Sequence, residues 1–96
     1  MIQHKSKYEV YLKEAGVGAI DVVADSCKSY VSYLNSVAKH LNIVVSPETL
    51  SQDKDVSMLT DDLIKSGKVS PKTIKNYGAA MRQYVNMVSA LGLKNS

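Results

Sequence analysis

The chain has no phenylalanine and no tryptophan, so its six tyrosines must supply all the aromatic bulk of a core. It has one cysteine, Cys27, which excludes an intramolecular disulfide and fits a reducing compartment. Two prolines and five glycines are too few for an all-β chain full of turns. No apolar run approaches the length needed to span a membrane. The opening MIQHKSKYEVYLKEAG is charged throughout and holds no apolar signal core, so a cytoplasmic, soluble protein is expected.

What remains is an ordinary globular composition, with 45% apolar and 22% charged residues. At 96 residues the chain suits a single domain, 1–96, large enough to bury one core without staples. Its net charge of +3 hides an asymmetry. Residues 1–62 carry six lysines and nine acids, a net of −3. Residues 63–96 carry Lys65, Lys68, Lys72, Lys75, Arg82 and Lys94 with no acid, a net of +6. That end reads either as a solvated basic face or as an electrostatic footprint for a polyanion.

Four amphipathic segments follow the helical period. The first runs from Ile2 to Ala15, with Tyr8, Tyr11, Leu12 and Ala15 on one face and Gly16 as its stop. The second runs from Ala19 to Leu41. Ile20, Val23, Cys27, Tyr30, Leu34, Val37 and Leu41 keep a 3,4 spacing throughout, and Ala24, Val31 and Ala38 widen the stripe. Asp21 and Asp25 near its start and Lys39 and His40 near its end suit the helix dipole. A stripe this wide and this short indicates a bundle helix rather than a coiled coil.

NIVVSPETLSQDKD is a connection, in which Ser46 and Pro47 could open a short turn holding Leu50. The third helix is expected to start after Asp53 or Asp55, to run through Val56, Leu59, Leu63 and Ile64, and to end at Gly67. The fourth starts at Ser70 and Pro71 and runs to Leu91, with Gly92 as its stop. Its stripe is Ile74, Tyr77, Met81, Tyr84, Val88 and Leu91, flanked by Ala80, Val85 and Met87. No segment alternates long enough for a strand. The expected fold class is all-α: two helical hairpins packed on each other.

Chemistry is hard to find. His4 and His40 stand at no metal-ligand spacing from Cys27, which reads as a buried, inert thiol. GVG at residues 16–18 reads as a turn, and there is no phosphate loop or nucleophile elbow. Asp53, Asp55, Asp61 and Asp62 form a local acidic patch. Tyr11, Tyr30, Tyr77 and Tyr84 fit apolar stripes, Tyr33 is the most exposed ring expected, and Tyr8 is ambiguous. No catalytic residue, metal site or cofactor is assigned, and a small-molecule substrate is not expected.

The fourth helix start is the anomaly. Helix N-termini favour acids, yet here Lys68, Lys72 and Lys75 surround Ser70 with no acid, whereas the second and third starts carry aspartates. A phosphate would resolve the conflict, held by N–H groups at the helix start, the Ser70 hydroxyl and the lysines. Lys72, Lys75, Ala79, Arg82 and Asn86 share the face opposite the tyrosine stripe, with Asn76 and Gln83 beside them. Such a face offers cations for phosphates and amides for base edges.

At these residues the chain resembles a known pattern. SPKTIKNYGAAMRQYVNMV is similar to a helix of the N-terminal core-binding domains of tyrosine recombinases and phage integrases, with Ser70, Thr73, Ile74, Tyr77, Arg82 and Tyr84 matching. YEVYLKEAG resembles the opening of the same domain, SYVSYLNSV its second helix and LTDDLIKSGKVS the approach to the fourth. Similar modules precede nuclease domains in some restriction enzymes. The resemblance implies a four-helix, SAM-like orthogonal bundle that grips duplex DNA for recombination. Catalysis in that family belongs to a following domain, whose Arg, Lys, His and nucleophilic Tyr have no counterparts in this chain.

Two functions are therefore carried forward. The first is a non-catalytic DNA-binding module. In it Lys72, Lys75 and Arg82 contact phosphates, Ser70 helps at the helix start, Asn76 or Gln83 reaches a base, and Lys65 and Lys68 add attraction. The alternative is a small helical protein-interaction module, such as an adaptor, dimer or phage-type inhibitor, docking on a larger protein.

Overall fold

A computed structural model of the chain describes residues 2–14 and 23–93, without the side chains of 23–27. The described residues form four helices, α1 (Lys5–Glu14), α2 (Val23–Leu41), α3 (Asp53–Ser66) and α4 (Pro71–Leu91). No strand occurs among the described residues, and the chain is all-α. Both expected pairs are in contact, α1 with α2 and α3 with α4. α4 packs on all three other helices, and α2 does the same. The expectations for Ala15, the Gly16–Gly18 turn, the start of α2 at Ala19, Asp21, Asp25 and the burial of Cys27 fall outside what is described.

Helix ends follow local chemistry. Ser70 caps α4, its side-chain oxygen accepting the Thr73 N–H at 3.3 Å, and Pro71 occupies the first position. Val69 and Ile74, at the two positions of a hydrophobic staple, both join the core. At the other end Gly92 adopts φ +64, which lets its N–H reach Ser89 O and lets Leu93 N–H reach Val88 O at 3.0 Å. Gly67 ends α3 at φ +67. Asn42 ends α2 in the same left-handed region, with the Ile43 N–H donating to Ala38 O. The Ser46–Pro47 turn forms as expected: Leu50 N–H donates to Ser46 O at 2.8 Å and Leu50 is fully buried.

The core is built around the α4 stripe. Ile74, Tyr77, Ala80, Met81, Tyr84, Val85, Met87 and Val88 are all buried. They meet Tyr8 and Leu12 of α1, Val31, Leu34, Val37 and Ala38 of α2, Val56 and Leu63 of α3, and Val45 and Leu50 of the connection. Tyr8 is resolved as a core residue. Its ring lies 5.6 Å from that of Tyr84, and its hydroxyl donates to Ala80 O at 2.9 Å.

Three expectations are corrected. Residues 2–4 do not extend α1: Ile2 forms a parallel bridge with Val45, and His4 turns into φ 58. The Gln3 N–H donates to Val45 O at 2.8 Å, so this backbone is paired with the connection instead of with a helix turn. Tyr33 is not an exposed ring but packs 6.1 Å from Tyr30 and 5.7 Å from Tyr77. Leu91, placed on the α4 stripe, is 49% exposed at the last residue of its helix. Ile64 is 58% exposed, about 100° round α3 from fully buried Leu63.

The Tyr84 hydroxyl donates to Gln3 O at 2.8 Å, and burial pushes its pKa up to about 12 from 10.0. The folded chain keeps this proton at pH values where the unfolded chain has begun to lose it. The stabilisation is whole below pH 10 and is lost as pH rises towards 12. Urea melts are expected to show Tyr84→Phe less stable by about 1 kcal/mol at neutral pH, the worth of one hydrogen bond. That difference should shrink as the solution is made alkaline.

Gly78 lies buried inside α4 without a left-handed φ, and an added Cβ would meet nothing within 4 Å. Gly78→Ala is expected to raise stability by about 0.5–1 kcal/mol by restricting the unfolded chain, measured by thermal or urea melting.

Candidate nucleic-acid interface

The structure brings most of the expected residues together. Lys72, Lys75, Asn76, Arg82 and Asn86 are exposed along one strip of α4, with Ala79 and Gln83 half-buried within it. Lys68 and Ser70 are exposed at its N-terminal end, and Lys65 is exposed in the last turn of α3. From Lys72 to Arg82 the strip runs about 15 Å along the helix axis. Among the described residues, no hydrogen bond or ion pair engages the side chains of Lys68, Lys72, Lys75 or Arg82.

The helix start is built differently from the expectation. The Ser70 hydroxyl donates to Thr73 Oγ1 at 2.9 Å while its oxygen accepts the Thr73 N–H. Ile74 N–H is bonded to Ser70 O, and Pro71 has no N–H. That leaves the Lys72 N–H as the first-turn donor with no partner among the described residues. An anion here would be held by side-chain charge more than by a cradle of backbone donors.

The reversed polarity of α4 is also not singular. With α1 beginning at Lys5, its first turn holds Lys5 and Lys7 and no acid. Only α3 follows the dipole rule in full view: the Asp55 carboxylate accepts from Ser51 N–H at 2.9 Å and Gln52 N–H at 3.2 Å. The case for an anion therefore rests on the whole α4 strip rather than on its first turn.

Arg82 stands at the edge of the strip nearest α3. It lines a shallow groove with Asp53, Val56, Ser57, Thr60 and Asp61. Two members of the acidic patch thus face the strip at its Arg82 end, while Lys72 and Lys75 do not line that groove. Positive potential is concentrated on the N-terminal half of the strip and is weakened at Arg82.

A second cationic groove went unrecognised in the sequence. Lys5, Glu9 and Lys13 of α1 and Lys28 of α2 line it together with Val31, Ser32 and Asn35. The net negative charge of residues 1–62 masks these lysines, because of the nine acids only Glu9 lines the groove. The visible signal was the i, i+4, i+8 run of Lys5, Glu9 and Lys13 on one helix face.

Among the described residues, no group of three or more His, Cys, Asp or Glu side chains could hold a metal ion, and no helix is long and apolar enough to cross a membrane. No family model, curated protein or solved structure matches the chain.

The cap makes its own test. Ser70→Ala removes the acceptor for Thr73 N–H and is expected to cost about 1 kcal/mol of stability, read from urea melts. The side chains of Lys72, Lys75 and Arg82 should be undisturbed.

Proposed function

We propose that the chain is a non-catalytic module that binds duplex DNA through the exposed strip of α4. The observation that carries this reading is a set of exposed cations, Lys68, Lys72, Lys75 and Arg82, whose side chains make no hydrogen bond or ion pair among the described residues. Lys72 and Lys75 contact phosphates at the N-terminal half, and Arg82 extends the contact along the backbone. Asn76 lies beside Lys72 and Lys75 and carries an amide suited to a base edge, with half-buried Gln83 next along. Ser70 contributes by fixing the helix start. Lys65 and Lys68 add general attraction.

Further support comes from the resemblance to integrase core-binding domains. A four-helix, all-α chain is what that resemblance requires, and Tyr77 and Tyr84, which match its aromatic positions, serve here as core residues. The matching Arg82 stays exposed.

Binding of a fluorescein-labelled duplex, followed by anisotropy, is expected to weaken steeply with salt. Three phosphate contacts correspond to a slope of about −2.7 in log K against log salt, roughly 0.9 for each. Lys72→Glu combined with Arg82→Glu is expected to abolish the signal while leaving helix content by circular dichroism unchanged. Undiminished affinity in that double variant would remove the α4 strip from the interface.

A further inference from the structure

One face of α1 meets the end of α4 in a groove the nucleic-acid reading does not use. Lys7, Val10, Tyr11 and Glu14 line it with Leu91 and Leu93, enclosing about 530 Å³ of largely apolar space. Val10 is 53% exposed and Leu91 is 49% exposed there. We propose that the same groove of a second copy of this chain covers it, in a two-fold pair with the α1 helices antiparallel.

The charge pattern selects this occupant. A two-fold interface must be self-complementary, because every contact occurs twice. Lys7, Val10, Tyr11 and Glu14 stand at i, i+3, i+4 and i+7, so they share one helix face. In an antiparallel pair centred between positions 10 and 11, Lys7 opposes Glu14 of the partner subunit, and Val10 opposes Tyr11 of the partner subunit. Two opposite-charge pairs then bracket an apolar centre. A parallel arrangement would instead set lysine on lysine and glutamate on glutamate.

Within one chain Lys7 and Glu14 are about 10.5 Å apart along the axis, too far to pair with each other. Leu91 and Leu93 continue the apolar surface beside the α1 centre. The pairing does not compete with the α4 strip, since Leu91 stands about 13.5 Å along the helix from Arg82 and on the opposite face.

Sedimentation equilibrium of the full chain over rising concentration is expected to show a monomer–dimer system. Lys7→Glu and Glu14→Lys, each alone, turn two attractive pairs into repulsive ones and are expected to raise the dissociation constant about tenfold. An equimolar mixture of these two variants should recover dimer, because each supplies the charge that the other has lost. Val10→Asp should give monomer. All three positions are exposed, so wild-type helix content is expected throughout. A chain that stays monomeric to millimolar concentration overturns the proposal. So does self-association that is indifferent to the charge variants or is not restored by mixing them.

Discussion

Making every core aromatic a tyrosine constrains the whole fold. A phenylalanine needs only to be covered, whereas a buried tyrosine must also place its hydroxyl against an acceptor. Tyr8 and Tyr84 meet that demand with backbone carbonyls far away in the chain, Ala80 O and Gln3 O. Two side chains that touch each other thus tie α1 to α4 and fix the N-terminal residues against the same helix. No buried side-chain N or O among the described residues lacks a hydrogen-bond partner.

α4 is where these demands converge. Its buried side packs on three helices, its start is closed by Ser70 and Pro71, and its end by Gly92 and Leu93. The remaining strip is left for solvent or ligand, and it is there that Lys72, Lys75, Asn76 and Arg82 are displayed. A helix held so thoroughly on one side presents the other with little freedom to rearrange. The groove at its far end uses different residues, so two surfaces of different chemistry are carried on one rigid element.

The parts of the fold legible in the sequence were those written in local chemistry. Ser70, Pro71, Gly67 and Gly92 bound their helices because caps depend on a few adjacent residues. The stripe of α4, and that of α2 from Tyr30 onward, were legible because burial repeats with the helix. What escaped depends on distant partners. Ile2 leaves the helix for Val45, and Tyr33 is covered by Tyr77 from another helix. Leu91 keeps the period yet stays half exposed at the end of α4. For the candidate site, periodicity placed the α4 residues on one face. It could not reveal that Asp53 and Asp61 would stand beside Arg82, nor that Lys28 would join Lys5 and Lys13, since each grouping needs two helices.

The bonds from Tyr8 to Ala80 and from Tyr84 to Gln3 join the two ends of the described chain. Contacts of such long range close late, because the intervening chain must first be confined. On the ribosome, Tyr8 and the residues before it must therefore wait, their apolar faces uncovered, until α4 has cleared the exit tunnel, an interval in which chaperones can meet the half-made chain.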